Sequence, residues 1–508
     1  MPVEFRLFSA ALAALTCVVG AASADVVVRV DTNDAALAGQ LEDIARSNAS
    51  APETRFEAMR QARQAAIVLD DYLNSKGYFR AETSPSVDGA DAPISVVTVR
   101  LGPQFRIGRV LTEIDGRELA PGVREDVDAA VDLSVGEIAI PDDIFRAERS
   151  GREALQAAGY AFAEILERDV VGDADAGEVD VRLKLETGPR VRFGKTYYDD
   201  GVRTRRVYLE RLIPYEEGDV YSPAAIAAFN KRLIETRLYR VATARIVDEP
   251  SGLTDDGDEI RDVRVSFVER DRYTISAGAS FSTSEGAGVS GAWTRRNATR
   301  RGDILDVRGV FAEQERTLGA DWRFPNAFGY GRGLSVDGQF GREETDAFDR
   351  DFVVVGAVLD VERSPHIHYA FGVANEFSRE TDDMETRDLH IVSTSAALGA
   401  DWSDSLLEPT QGWRGDIRGE PGWVLGEENT PYFMTLGGAA IYRGFGEERD
   451  WVAAFRGRAG SLIGAGTLEL PASRRFFAGG GGSARGYAYQ SIGPKDDLGD
   501  PRGGRGLL

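Results

Sequence analysis

From Asp271 onward the chain alternates with a period of two. In residues 273–281 one face holds Tyr273, Ile275, Ala277, Ala279 and Phe281, and the other holds Thr274, Ser276, Gly278 and Ser280. Residues 352–361 group Val353, Val355, Ala357, Leu359 and Val361, and residues 451–459 set Trp451, Ala453, Phe455 and Ala459 against Arg456 and Arg458. That period belongs to strands with one apolar face, and aromatics near the segment ends fit strands that face lipid. Turn signals at Arg295-Arg296-Asn297, Phe324-Pro325-Asn326, Ser364-Pro365 and Glu408-Pro409-Thr410 divide the region into about eleven such segments.

Before Asp271 the pattern is mixed and repeats itself. The phrase Gly102-Pro103-Gln104-Phe105-Arg106-Ile107-Gly108 returns as Gly188-Pro189-Arg190-Val191-Arg192-Phe193-Gly194. Ser75-Lys76-Gly77-Tyr78-Phe79 returns as Ala157-Ala158-Gly159-Tyr160-Ala161, and more loosely as Thr236-Arg237-Leu238-Tyr239-Arg240. Each follows a helical stretch. In residues 56–73, Phe56, Met59, Arg63, Ala66, Ile67, Asp70 and Leu73 share roughly one face, mostly apolar. Pro141-Asp142-Asp143 and Ser222-Pro223 are start signals for the second and third helices. The glycine of the Gly-Tyr phrase is a stop signal, weaker in the third copy where Arg237-Leu238 stands. Alternating segments follow: residues 178–186 align Val179, Val181, Leu183 and Leu185, and residues 261–268 align Val263, Val265 and Phe267. The unit is strand, helix, helix, strand, strand, about 80 residues long, in three copies. Each small sheet leaves a strand edge that could capture an extended chain or stand charged and idle, and both readings stay open.

Composition narrows the classes. A net charge of −23 over 508 residues argues against a nucleic-acid surface. Mean hydropathy is −0.27, and no apolar run after the N-terminus is long enough for a membrane helix. Membrane insertion is therefore expected only through a β-barrel, whose strands are half apolar. Residues 1–24 read as a secretory leader: Arg6, an apolar run from Leu7 to Gly20, then Ala22-Ser23-Ala24 with Asp25 as the mature start. The sole cysteine, Cys17, lies inside that leader, and Thr16 before it disfavours lipidation. The mature chain is expected to hold no disulfide and no cysteine metal site.

Enzyme chemistry is not expected. His366-x-His368 reads as a same-face pair on a strand, and no carboxylate pattern completes a metal site; His390 is distant in sequence. No Gly-x-Ser-x-Gly elbow occurs, and no Gly-Lys-Ser/Thr follows the glycine run at 479–482. That run sits inside Arg475–Pro494, reading RFFAGGGGSARGYAYQSIGP. It is an aromatic, glycine-rich loop around a central arginine, the composition of a segment folded into an enclosure.

Arg485-Gly486-Tyr487 in this setting resembles the inward-folded loop of the Omp85 superfamily, with Ala484 in place of the usual valine. The longer phrase, Phe476-Phe477 with Gly479-Gly480, then Arg-Gly-Tyr and Gln-Ser-Ile-Gly-Pro, resembles more narrowly the TamA group. Asp404 to Arg414 contains the Pro-Thr-x-Gly phrase that opens a strand in this superfamily. The three repeats resemble POTRA domains, and three is the number expected of the TamA group. The expected division is a leader at 1–24, POTRA domains at 25–101, 102–187 and 188–270, and an Omp85-type antiparallel barrel at 271–508.

The resemblance implies an outer-membrane factor that helps insert autotransporters and other barrel proteins, with its POTRA domains in the periplasm and no cofactor. Partners would be a TamB-like inner-membrane-anchored protein, unfolded barrel substrates and outer-membrane lipid. Arg485, with Gly479, Gly480, Gly486 and Tyr487, would fix the loop against an acidic group on the inner wall. Tyr273, Ile275, Ala277, Ala279 and Phe281 would lie on the first strand of a lateral seam. A superfamily barrel has roughly sixteen strands, so the chain is expected to be a fragment ending as the twelfth strand begins at Gly506-Leu507-Leu508, with the partner of Arg485 beyond Leu508. Two rivals are a two-partner secretion transporter, disfavoured by the three repeats, and a passive pore with periplasmic domains.

Overall fold

The computed structural model describes residues 26–508 except 33, 47–50, 90–91, 283–285, 383, 427–428, 447–448 and 481–482. The expected leader with Cys17, and Gly481 and Gly482 of the loop, lie outside the described residues. The chain divides into two compact units, the first ending at Arg192 but taking in 220–223 and 252–260, the second holding the rest to Leu508.

The N-terminal region consists of POTRA-like β-α-α-β-β modules. In the first, β1 (Val26–Val30), α1 (Ala35–Arg46), α2 (Arg55–Ser75), β2 (Glu82–Asp88) and β3 (Ile94–Arg100) form a sheet in the order β1-β3-β2. Thr54 caps α2 by accepting from the Glu57 amide at 3.2 Å. The helix face differs from the one expected. Ala58, Ala62, Ala65, Ala66, Leu69 and Leu73 are buried, whereas Phe56 is 82% exposed and Ile67 is exposed. An alanine stripe lets the helix axis approach the sheet closely, and that contact overrides the larger side chains beside it.

The second module repeats the order with β4 (Arg106–Asp115), α3 (Val123–Val131), α4 (Pro141–Ala157), β5 (Glu164–Asp173) and β6 (Glu178–Glu186). Its core packs Val127 and Leu155 on Val181, Leu183 and Leu185, the apolar face expected of residues 178–186. The third contains β7 (Val191–Tyr198), α5 (Arg206–Glu210), α6 (Pro223–Glu235), β8 (Tyr239–Ile246), the short β9 (Gly252–Leu253) and β10 (Glu259–Glu269). Here the helix stop shifts by one residue. Gly77 and Gly159 carry positive φ in the first two modules, and Arg237 takes that role at φ 58°, one position earlier than the repeat would place it. In β4 the first half is already bonded on its outer edge, since Gly136 and Ala139 donate to Ile107 and Phe105. Gly218 and Phe193 make the corresponding bonds beside β7.

The C-terminal region is one antiparallel sheet of twelve strands in sequence order. They are β11 (Tyr273–Ser282), β12 (Gly286–Arg296), β13 (Ile304–Ala312), β14 (Glu315–Phe324), β15 (Arg332–Glu344), β16 (Asp349–Ser364), β17 (Ile367–Thr381), β18 (Thr386–Asp401), β19 (Gln411–Leu425), β20 (Thr430–Phe445), β21 (Trp451–Ile463) and β22 (Gly506–Leu507). One face is apolar and exposed, including Ile275, Val355, Phe371, Ile417, Ile441 and Phe455. This is the apolar-out pattern of a lipid-facing sheet.

Two turns at one end of this sheet are bonded to the third module, all within the second unit. In the β12–β13 turn Asn297 sits at φ 57° and its carboxamide accepts from the Gly302 amide at 3.1 Å. The same carboxamide donates to Thr204 Oγ1 at 2.9 Å, and Tyr239 donates to that hydroxyl at 2.8 Å. Gly302 has φ +78°, and a Cβ there would lie 2.2 Å from the Tyr208 ring, so a side chain is excluded both by conformation and by contact. Asp303 is fully buried and accepts from Thr299 and from Trp322 Nε1 at 3.0 Å. In the β14–β15 turn, Tyr330 donates to Glu235 at 3.0 Å and lies under the Arg232 guanidinium. Burial raises the Tyr208 and Tyr239 phenols above their ordinary range, so both stay neutral at neutral pH and Tyr239 keeps the proton it donates to Thr204.

A third turn at the same end, residues 402–410, runs into β19 through the Pro-Thr-x-Gly phrase at 409–412. Asp404 accepts from Thr410 Oγ1 at 2.5 Å, from the Thr410 amide at 2.8 Å and from the Gln411 amide at 3.0 Å. Arg449, from the next turn, reaches Asp404 at 3.3 Å. Gly412 is required because a Cβ would lie 2.1 Å from the Trp402 carbonyl oxygen. The Thr410 hydroxyl, then the Gln411 and Thr410 amides, hold the Asp404 carboxyl down at about 2. Because the folded value is depressed, the clasp contributes fully above the ordinary aspartate value of about 3.9 and is lost as pH falls through the folded one. Amide exchange at Thr410 and Gln411, corrected for intrinsic rate, is expected to be constant from neutral pH to about pH 4 and to accelerate below it. Acceleration already near pH 6 would contradict this assignment.

Candidate functional site

The connection between β21 and β22, residues 464–505, folds back onto the polar face of the sheet. Its entry is a single 3-10 turn, Ala472–Arg474. The Ala472 and Ser473 amides donate to the buried Glu380 carboxylate at 2.5 and 3.3 Å. Period two on β17 puts Glu376, Ser378 and Glu380 on this face, while Phe377 points the other way.

Two consecutive arginines carry the contact. Arg474 spans two strands, reaching Glu376 on β17 at 2.6 Å and Glu420 on β19 at 3.4 Å. Arg350 on β16 also binds Glu376 at 3.0 Å and Glu343 at 2.8 Å, and Arg418 binds Glu420 at 2.8 Å. Arg475 and Asp382 pair at 3.1 Å with side chains 1% and 2% exposed. Arg475 also donates to the Leu470 and Arg502 carbonyls, and Arg387 shares Asp382 at 3.2 Å. The planar guanidinium suits this work because its forked donors serve two carboxylates at once.

Beyond the arginines the loop closes on itself. Phe476 and Gly504 exchange two backbone bonds at 2.8 Å, and the Phe476 ring packs on Gly460 of β21, where a Cβ would lie 2.7 Å from it. Phe477 packs near Phe348 with centroids 6.3 Å apart. The Ile492 amide donates to Ala478, and the Gly480 amide to Tyr487. Gly479 approaches so closely that a Cβ would lie 2.3 Å from the Ala488 carbonyl oxygen. A cavity of about 390 Å³ remains between loop and sheet, lined by Gln314, Glu343, Arg350, Ser473, Phe477 and Tyr489 among others.

The residues singled out from sequence fall in three places. Gly479 and Gly480 lie in the folded part of the loop. Arg485, Gly486 and Tyr487 are exposed at its tip, and no ion pair to Arg485 is found among the described residues. Tyr273, Ile275, Ala277, Ala279 and Phe281 are all exposed on β11, which stands at the end of the sheet order and pairs with β12 from Tyr273↔Arg295 to Ser282↔Gly286. The two histidines do not share a strand. β17 starts at Ile367, so His366 lies in the preceding turn, bonded through Nδ1 to the Asp401 carbonyl at 2.7 Å, while the His368 ring sits over Gly399. Among the described residues no cluster of three or more His, Cys, Asp or Glu side chains is arranged to hold a metal. Sequence reasoning missed Arg474, Arg475 and their acceptors. The one available signal was the run Glu376, Ser378, Glu380 on a face otherwise expected to carry small or neutral polar side chains.

Residues 271–508 match the Omp85 superfamily domain. The chain is 23% identical over 465 residues to outer membrane protein assembly factor BamA of Nitratidesulfovibrio vulgaris, covering 86% of this chain and 56% of that protein. It is 23% identical over 487 residues to the BamA of Neisseria meningitidis serogroup B, covering 88% and 58%. The chain thus spans less than two thirds of the length of these relatives. The crystal structure of BamA from Haemophilus ducreyi lacking POTRA domains 1–3 superposes with a TM-score of 0.64 at 17% identity, covering 79% of this chain and 81% of that one. That likeness shows a shared fold of POTRA-like modules and antiparallel barrel sheet.

Removing Arg474 leaves Glu376 with Arg350 and Glu420 with Arg418, so the loss is smaller than for an isolated buried pair. Arg474→Ala is expected to destabilise the folded sheet by about 1–3 kcal/mol, read as a lower urea midpoint for the heat-modifiable form. Arg474→Lys is expected to recover only part, since one ammonium cannot bridge two strands as the guanidinium does. Unchanged midpoints in both variants would contradict the latch.

Proposed function

We propose, with the Omp85 superfamily domain of residues 271–508 as the premise, that this protein sits in the outer membrane and assists the insertion of β-barrel proteins, autotransporters among them. The observation that carries the reading is β11: a strand at the end of the sheet order, bonded to β12 alone among the described residues. An exposed strand edge is a template for pairing with another chain. Tyr273 to Ser282 would form the first strand of a lateral seam on which a substrate strand is laid down, without nucleotide chemistry.

The POTRA-like modules would stand in the periplasm and receive unfolded substrate. In the second and third modules the edges of β4 and β7 are partly occupied by the chain's own bonds, and β5 and β8 are the opposite edges of those two sheets. The TamA-like assignment is supported by the three modules and by the Phe-Phe to Gly-Pro phrase of the loop. It brings with it a TamB-like periplasmic partner and contact with outer-membrane lipid. In this reading the Arg474 and Arg475 contacts root the loop, and Arg485 makes a further charge-assisted contact that positions its tip.

The test is reconstitution of the full-length protein into phospholipid vesicles with an unfolded barrel protein as substrate. Accelerated appearance of folded, protease-protected substrate is expected. Steady conductance without acceleration would favour the passive pore instead. Arg485→Ala is expected to lower assembly on the order of tenfold, the scale of a charge-assisted hydrogen bond. Unchanged barrel yield and assembly rate would remove Arg485 from the account.

A further inference from the structure

The turn joining β18 to β19 ends in Leu406, 76% exposed, and Leu407, 93% exposed. The two leucines are adjacent and form one bare apolar tip on an ordered turn, unlike the singly scattered surface leucines that need no explanation. The turn is held by Asp404, Thr410 and Arg449, and also by Ser403, whose hydroxyl donates to Asp401 at 2.6 Å and whose amide donates to the same carboxylate at 2.8 Å. The tip is therefore ordered before it meets anything.

Its root lies on the lipid-facing side. Trp413 shares the exposed face of β19 with Ile417. Trp402 stacks on Trp413 with centroids 4.9 Å apart, and His366 stacks on Trp402 at 5.5 Å. Indole rings at a strand end mark the level of the membrane interface, with an apolar body in the acyl region and a polar edge in the headgroups. We propose that the 402–410 turn is a lipid-inserting finger, with Leu406 and Leu407 entering the phospholipid leaflet at the end of the sheet that carries the third module. A protein partner fits less well. A tip of two side chains offers a small fraction of the roughly 800 Å² per partner that a stable protein interface needs. The lipid surface, in contrast, is continuous with the apolar face already beside it.

This finger rests on the membrane-barrel reading above, and the experiment separates the two. The only cysteine in the sequence, Cys17, lies in the expected leader, so a cysteine introduced within residues 25–508 is the one labelling site of that span, and any cysteine outside it is replaced. Leu407→Cys, Phe371→Cys on the apolar sheet face and Asp200→Cys in the third module are each labelled with an environment-sensitive fluorophore. The labelled full-length proteins are reconstituted into phosphatidylcholine vesicles, with and without brominated chains. The 371 label is expected to be quenched by bromolipid and the 200 label by aqueous iodide. The 407 label is expected to be blue-shifted, quenched by bromolipid and shielded from iodide. Adding Leu406→Glu is expected to raise iodide access at 407 roughly tenfold, the partition loss of one leucine side chain. A 407 label that behaves like the 200 label while 371 reports lipid would overturn the finger alone. A blue shift at 407 that appears only on adding periplasmic protein would overturn it in favour of a protein partner. Failure at 371 as well would overturn the membrane reading with it.

Discussion

A backbone amide in a bilayer has no water to bond, so every strand that crosses must exchange its hydrogen bonds with neighbouring strands. The sheet from Tyr273 to Leu507 answers that constraint with sequential pairing from β11 through β21, while β22 pairs with β21 at Gly460 and Ser461. Much else follows. Each strand must be apolar on one face only, which keeps mean hydropathy low, and among the described residues no helix is long and apolar enough to cross a membrane. The other face can carry charge, and the loop at 464–505 uses it. The same constraint gives the end strand β11 its chemical interest, because an unpaired edge in lipid is costly and a pairing partner relieves that cost.

The polar face shows how charge is managed away from bulk water. Carboxylates from β15, β17, β19 and the β17–β18 loop are matched by Arg350, Arg387, Arg418, Arg474 and Arg475. Three of these four carboxylates are shared, and Glu343 holds Arg350. Glu376 holds two arginines, Glu420 two, and Asp382 two. A shared network of this kind ties loop position to several strands together, so movement of the loop root would strand more than one buried charge. At the opposite end of the strands, the Tyr208, Asn297 and Thr204 cluster binds the third module to the β12–β13 turn. The Asp404 clasp orders the β18–β19 turn.

The strands were legible because period two is a local signal that survives in a single sequence; the expected segment 178–186 coincides with β6, and residues 273–281 lie within β11. The paired asparagines Asn297 and Asn326 were legible as turns for a similarly local reason, since both tolerate the left-handed backbone they adopt. The buried face of α2 was not. Hydrophobicity ranks Phe56 and Ile67 above Ala58 and Ala62, but the distance between helix and sheet decides, and that distance is not written in any one segment. The arginine latch was hidden for another reason. Its acceptors, on β17, β19 and the β17–β18 loop, lie 54 to 98 residues before Arg474 and Arg475, so only the register of β15 to β19 brings them together. Arg485 at the loop tip stands in a local Arg-Gly-Tyr phrase, whereas Arg474 and Arg475 at its root stand in no such phrase.

The central claim is that the edge of β11 receives a substrate strand. The direct measurement is disulfide trapping in cells between single cysteines on a stalled barrel substrate and cysteines at Ala277 on β11 or at Val355 on the interior strand β16. The account predicts adducts at position 277 that peak at one substrate register and are absent at position 355. Adducts absent at 277, or equal at both positions, would contradict it.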